Sequence, residues 1–373
     1  MRVVIIGGLH HNTLGVVRSV GSRLEKRSLY VLLVGHNIPL SNYIAASRYV
    51  EKSQVFILSD YTEIVDMLKK LETQEKTVVI SCADKATEVI IKAKENLKEK
   101  YYLPDTTIDI DWLLDKENQD VVAAECGLNI PSSGVVSKGN QLTWDKFPCI
   151  LKPLKSTIGS GKSDIRIADN LHELNEALIT VGAERIQIQE YIEKKFEFQL
   201  IGCSLKHGEI ILIPGYTRII RQPRNTNTGY LEFAPIEDFS FDEEAVSNFI
   251  KKIGYSGLFS IEFIRGIDNK DYFLEINMRN DGNAYCVFSA GVNLPYIWCS
   301  ACVQDSISEN EITVVKKCVR FIPDFNDFLL GVRAVGIFKW ISEFFLAESH
   351  SIYNKKDMKP FFTKLLSYLS RRK

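Results

Sequence analysis

The sequence predicts an α/β fold: an open parallel sheet at the N-terminus, followed by a mixed unit of strands and helices. Over residues 1–110, short apolar runs alternate with helical stretches, the signature of a parallel sheet with crossover helices. A glycine-rich segment near residue 160 lies between two stretches with strand patterning. Two further strands, Phe259–Ile264 and Tyr272–Asn277, each carry a carboxylate among apolar and aromatic neighbours. At 373 residues the chain is too long for one ordinary core, so two or three packed units are expected.

Taken in order, Val3–Ile6, Tyr30–Val34, Val55–Leu58 and Val78–Cys82 read as strands, and Glu63–Leu71 and Ala86–Lys100 as helices. Gly7-Gly8 falls where the first strand turns into its helix. The spacing G-x-G-x-x-G is absent and the second strand ends in Val34-Gly35-His36-Asn37 without a ribose-binding acid, so tight-turn glycines are expected there rather than a dinucleotide fingerprint. The character changes near Asp109–Asn118, and a second α/β unit runs to about residue 310. The remainder, rich in aromatics, is expected to pack back on its own domain, with a membrane-surface position through its apolar face and Arg371-Arg372-Lys373 as the alternative.

Lys and Arg total 46 against 47 Asp and Glu, so no global field draws the chain to nucleic acid or anionic lipid. The first apolar run is too short for a signal peptide, and no run reaches the roughly 18 to 20 residues needed to span a bilayer. Eight cysteines lie scattered in apolar segments, which suggests reduced thiols and a cytoplasmic protein. Cys299 and Cys302 form C-x-x-C on an apparent helix but lack the second ligand pair of a zinc site, so a structural role is expected.

Residues 156–163, Ser-Thr-Ile-Gly-Ser-Gly-Lys-Ser, depart from the Walker pattern only in having Ser156 as the first residue. A P-loop needs a helix directly after its Lys-Ser, so that the helix N-terminus faces the phosphates. Here Asp164–Ala168 alternates polar and apolar, which is strand patterning, and the next helix starts only near Asn170. A hairpin flap that lays backbone N–H groups over phosphates is expected instead. The strand before it, Ile150-Leu151-Lys152-Pro153, ends in a lysine able to reach a phosphate. In a hairpin turning near residues 268–269, Glu262 and Glu275 come almost opposite each other. Two opposed carboxylates would repel unless a cation lay between them, and Mg²⁺ with the Asn277 amide and phosphate oxygens fits that need. Arg218, Arg221 and Arg224 are candidate carboxylate clamps on a loop region, with a solvated basic loop as an equal alternative.

In their order and spacing these pieces resemble the ATP-grasp superfamily, over residues 110–300. The resemblance implies an N-terminal Rossmann-like domain at 1–110 and an ATP-grasp domain of α+β character at 111–310. That domain divides into a small subdomain at about 111–190 and a larger one at about 191–310, with a helical, aromatic tail at 311–373. It further implies phosphate contacts from Lys116, in Asp115-Lys116, and from Lys152. Ser156, Gly159, Ser160 and Gly161 would form the flap, Glu190, Tyr191 and Ile192 the adenine hinge, and Glu197 the ribose carboxylate. Glu262, Glu275 and Asn277 would bind magnesium, and Arg279, completing E-x-N-x-R, would act with Lys152 in catalysis. The family's proline in E-x-N-P-R is Met278 here. Within the superfamily the chain is most similar to D-aspartate-ligase-like and carbamoyl-phosphate-synthetase-like carboxylate–amine ligases. ATP and Mg²⁺ are the implied cofactors. The implied reaction activates a carboxylate as an acyl phosphate and joins it to the amine of an amino acid, amino sugar or cell-envelope precursor. A kinase-like phosphoryl transfer without amide ligation is the alternative. Small-molecule substrates are expected, without nucleic acid or stable membrane insertion, and a homodimer is left open.

Overall fold

The computed structural model describes residues 1–73, 75–137, 144–154, 165–182, 184–222, 229–308 and 318–370. Its first sheet follows from four β-branched, apolar runs, three of which bury both faces, as parallel strands covered on two sides do, while the edge run Val55–Leu58 is half-buried. These are β1 (Val3–Gly7), β2 (Leu29–Val34), β3 (Val55–Leu58) and β4 (Thr77–Ser81), joined by the short β5 (Tyr101–Tyr102). The order is β3-β2-β1-β4-β5 and every pairing is parallel. The four predicted strands are recovered to within a residue. The single helix expected over Ala86–Lys100 is two, Asp84–Lys92 and Lys94–Leu97, broken at Ala93 (φ −91°, ψ 6°). No glycine or proline marks that break.

Because the strand order reverses between β1 and β4, their C-terminal ends open a crevice. Residues 278–283 dock there. The Asn280 N–H donates to the Ser81 carbonyl (3.0 Å), and the Asn12 amide donates to the carbonyls of Cys82 (3.0 Å) and Asn280 (2.6 Å).

The second sheet is antiparallel, in the order β6-β9-β7-β8, from β6 (Ser133–Ser137), β7 (Cys149–Pro153), β8 (Arg166–Ala168) and β9 (Arg185–Glu190). Its alternation puts Leu151, Ile186 and Ile188 into a small core with Leu174, and Lys152, Gln187 and Gln189 on the opposite face. β7 and β8 pair antiparallel, Cys149 with Ala168. The glycine segment is therefore flanked by hairpin strands and followed by a strand rather than a helix. Residues 155–164 themselves, with Ser156, Gly159, Ser160 and Gly161, lie outside the described residues.

The third sheet has the order β14-β13-β10-β11-β12-β15-β16. It contains β10 (Lys194–Leu205), β11 (Ile210–Arg221), β12 (Tyr230–Pro235), β13 (Gly257–Gly266), β14 (Asp271–Asn277), β15 (Val319–Ile322) and β16 (Ser349–His350). One face sends Phe198, Phe263 and Phe273 against helices Lys116–Glu125 and Glu243–Ile253, with the Phe198 and Phe263 rings stacked at 5.0 Å. Fully burying each such ring contributes about 1.5–3 kcal/mol.

Part of the aromatic tail joins this sheet. β15 pairs antiparallel with β12 and parallel with β16. The tail is fastened to helix His11–Gly21, which follows β1, by a buried ion pair, Arg18 Nε to Asp357 Oδ2 at 3.0 Å. Cys299 and Cys302 lie on helix Leu294–Gln304 in or against the main core, where burial pushes both thiols well above their ordinary pKa. The eight cysteines form no disulfide among the described residues.

Candidate functional site

The site starts from one row of polar residues across four strands. Thr217 on β11 faces Gln199 on β10, Gln199 faces Glu262 on β13, and Glu262 faces Glu275 on β14. The row shares one face because side chains in a strand alternate, and its neighbours Phe198 and Phe263 take the other. The expected opposition of Glu262 and Glu275 is the observed register. A bulge just beyond, where Phe263 pairs with Phe273, ends this stretch of regular pairing.

Amide donors and cations hold the two carboxylates together. Glu262 Oε1 accepts from Gln199 Nε2 (3.1 Å) and Asn277 Nδ2 (3.0 Å), and Glu275 Oε2 meets Lys116 Nζ at 2.6 Å. Lys116 opens helix Lys116–Glu125, capped by Asp115, whose side chain accepts from the Glu117 N–H. The Lys116 N–H donates to the Leu154 carbonyl, which ties the helix start to the end of β7. Burial works against the Lys116 ammonium, but Glu275, with Glu262 and Asp120, outweighs it and holds the pKa above the ordinary lysine value.

Lys152 enters from the four-stranded sheet, and its Nζ donates to Gln189 Oε1 (2.8 Å). Burial, and then the Lys116 charge, push it down to about 8. Asp120, on the Lys116 helix, accepts from Gln187 Nε2 (2.6 Å), and burial raises it to about 6. Three buried polar atoms here, Asp120 Oδ1, Gln187 Oε1 and Gln189 Nε2, have no partner among the described residues. Such atoms are costly inside a folded chain and suit a polar ligand.

Arg279 closes the other end. It bonds Asn277 Oδ1 (2.8 Å) and pairs with Asp84 (3.0 Å) and Asp281 (3.3 Å). Burial opposes its charge, yet Asp84 and Asp281, followed by Glu262 and Glu275, raise its pKa further. Asp84 begins the helix that follows β4, so this arginine links the first sheet to the third.

The expected nucleotide hinge connects β9 to β10. The Glu190 N–H donates to the Ser132 carbonyl and the Tyr191 N–H to that of Pro148, and Ile192 follows in the connection. Glu197 lies on the same face of β10 as Gln199. Its oxygens accept from Lys194 Nζ (2.6 Å) and Gln222 Nε2 (2.7 Å). Lys194 opens the same strand, and Gln222 lies just beyond the end of β11.

The arginine clamp requires correction. Arg218 shares the register level of Phe198 and lies over the Phe196 ring (5.6 Å), on the face opposite Gln199 and Glu262. Arg221 is held by Asp327 (2.6 Å) and Glu343 (2.9 Å). Arg218 and Arg221 both belong to β11 rather than to the expected loop, with a register shift between Ile219 and Arg221. Arg224 lies outside the described residues. The residues missed on the sequence are Asp84, Asp120, Gln187, Gln189 and Gln199. The alternation Ile186-Gln187-Ile188-Gln189 was the available signal, since that polar face is buried rather than solvated.

Among the described residues no group of three or more His, Cys, Asp and Glu gathers as a metal site. Two opposed carboxylates and one amide nevertheless fit Mg²⁺, which takes one or two protein carboxylates and completes its shell with water and phosphate oxygens.

These sheets and their polar row define an ATP-grasp fold, which the solved structures bear out. The L-amino acid ligase from Bacillus licheniformis superposes with a TM-score of 0.61 at 16% identity, covering 86% of this chain and 79% of that one. The biotin carboxylase domain of the Hydrogenobacter thermophilus 2-oxoglutarate carboxylase, solved with MgADP, ADP and bicarbonate, gives 0.65 at 16% identity, covering 86% and 73%. By sequence the chain is similar to formate-dependent phosphoribosylglycinamide formyltransferases. That of Bacteroides thetaiotaomicron is 26% identical over 159 residues, 40% of this chain and 39% of that protein. That of Tolumonas auensis is 25% identical over 259 residues, 63% and 62%. Both matches span less than two thirds of the relative's length. No family model matches the chain.

Proposed function

We propose that the chain is an ATP- and Mg²⁺-dependent ligase that activates a carboxylate as an acyl phosphate and joins it to an amine. The convergence of Lys116 from its helix, Lys152 from β7, Glu262 from β13, Glu275 from β14 and Arg279 from just beyond β14 carries the reading. Lys152 and Lys116 would hold the phosphates, Glu197 the ribose hydroxyls, and the Glu190–Ile192 connection the base. Glu262, Glu275 and Asn277 would hold Mg²⁺, which supplies charge neutralisation on the transferring phosphoryl group. A carboxylate oxygen near Arg279 attacks the γ-phosphorus and the bond to ADP breaks. The amine then attacks the acyl carbon, and phosphate leaves as the amine gives up a proton. Catalysis of this kind is mostly positioning and charge stabilisation. The names of the similar proteins, a formate-dependent formyltransferase and an L-amino acid ligase, favour a small carboxylic acid. Cysteines without a disulfide among the described residues suit a cytoplasmic setting.

The test is ADP release measured against a panel of carboxylates and amines, D-amino acids included. Release that requires both partners and yields an amide is the expected result. ADP formed without the amine, with a stable phosphorylated product, would sink the ligase reading in favour of a kinase.

The depressed Lys152 adds a pH signature. Below a pH of about 8 its ammonium is present to meet the triphosphate; above that it is neutral in the unliganded protein. ATP affinity should therefore hold steady up to neutrality and weaken as pH rises through 8, by up to about tenfold per unit. Titration calorimetry in buffers of different ionisation enthalpy should register proton uptake on binding near pH 8. Lys152→Met should remove both effects, and a wild-type affinity independent of pH between 7 and 9 would refute the assignment.

A further inference from the structure

We propose that the helical hairpin of the C-terminal segment docks on an anionic lipid surface. Helix Ile337–Leu346 reads Ile-Phe-Lys-Trp-Ile-Ser-Glu-Phe-Phe-Leu, with apolar side chains over somewhat more than half of its circumference and Lys339, Ser342 and Glu343 on the rest. So wide an apolar face calls for cover on more than one side. Here the protein covers only one side. Trp340 and Phe344 face inward: the Trp340 ring meets Phe328 at 5.0 Å and its Nε1 donates to Asp327, while Phe344 lies 4.7 Å from His350. Gly331 on helix Asp324–Val335 permits this approach, since a Cβ there would sit 2.2 Å from the Trp340 ring. The other side presents Phe338, 86% exposed, and Phe345, 74% exposed, with Ile341 and Leu346. Leu329 on the neighbouring helix is exposed as well, and helix Lys359–Ser370 joins through Phe361 and Tyr368 against Phe325.

Charge selects the occupant. The exposed ionic side chains of residues 324–370 are Arg333, Lys339, Lys355, Lys356 and Lys359, against Glu348 alone among the acids. The other acids point inward: Asp327 and Glu343 grip Arg221, Asp324 accepts from Ser351 and two backbone N–H groups, and Asp357 grips Arg18. An apolar face edged by cations and cleared of acids complements anionic headgroups over acyl chains. No helix among the described residues is long and apolar enough to cross a membrane, so the contact is peripheral. It would also touch the nucleotide site. Arg221, gripped by the hairpin, is followed by Gln222, which donates to Glu197.

Co-sedimentation of the full chain with vesicles of phosphatidylglycerol and phosphatidylcholine, against phosphatidylcholine alone, tests the proposal. Binding is expected only to the anionic vesicles, and it should fall with salt. Arg333→Gln with Lys339→Gln removes two cations worth about 1 kcal/mol each at such a surface, so affinity should drop roughly 30-fold. Phe338→Ser with Phe345→Ser should abolish binding while shifting the thermal melt little, because both rings are mostly exposed, Phe345 meeting the Phe344 ring edge-on at 5.5 Å. Failure of the wild-type chain to bind anionic vesicles overturns the proposal. So does a dimer in sedimentation velocity that the Phe338/Phe345 pair abolishes, which would make this a face between copies of the chain.

Discussion

Replacing Glu275 by glutamine is expected to lower magnesium-dependent ADP formation by about 10²-fold or more, the loss typical when one preorganised charge contact is removed from a transition state. The substitution keeps shape and removes a single charge from a cluster of buried ionic groups. Glu275 lies opposite Glu262 and against Lys116. Without it, the opposed pair offers one hard oxygen anion instead of two, and Lys116 loses its nearest counter-charge. Burial then acts on that ammonium with less opposition, and its pKa should fall. A steady-state assay at saturating Mg²⁺, with a thermal melt to confirm folding, decides the matter. Turnover near that of the parent chain would show that the metal assignment is wrong.

The second large effect is on stability. Asp357→Ala should cost about 3–5 kcal/mol, because it leaves the Arg18 guanidinium buried without its partner. Each member of the pair is 1% exposed. Asp357 also accepts from Ser47 Oγ (2.8 Å) and the Arg48 N–H (2.9 Å), so three donors are orphaned together. The check is the midpoint of equilibrium denaturation by urea. The double substitution Arg18→Met, Asp357→Leu should recover part of the loss, since replacing both charges with apolar groups removes the unpaired ion. A single substitution costing less than about 1 kcal/mol would place the pair among exposed ion pairs in energetic terms.

The local features of this molecule were legible in the sequence, and the long-range ones were not. The four strands of the first sheet are apolar, β-branched runs, and burial, on both faces for all but the edge run, is written directly into such composition. Glu262 and Glu275 were found because a short hairpin fixes its own register. The hinge connection after Glu190 and the hairpin strands around the glycine segment are local in the same sense. Gln187 and Gln189 were passed over, because what makes their face a site is distant in sequence: Asp120, on a helix some 70 residues earlier, for Gln187, and Lys152 on β7 for Gln189. Arg218 and Arg221 read as part of a loop region, whereas both belong to β11, and the acids that hold Arg221, Asp327 and Glu343, lie more than 100 residues later. β15 and β16, four and two residues long with helices between them, join a sheet whose neighbouring strand β12 ended some 80 residues earlier.

Arg18 and Asp357 stand 339 positions apart, yet each is the other's partner. At elongation rates of about 5–20 residues per second, the arginine waits roughly 20 to 70 s after its synthesis before the aspartate exists. During that interval the first sheet can close, but the pocket beneath its first helix holds a cation with no counter-ion. The edge of β12 stands open for the shorter time until β15 follows, offering unpaired backbone groups to any passing strand. Stalled or prematurely terminated chains should therefore be far more prone to aggregation and proteolysis than the loss of a few surface helices would suggest.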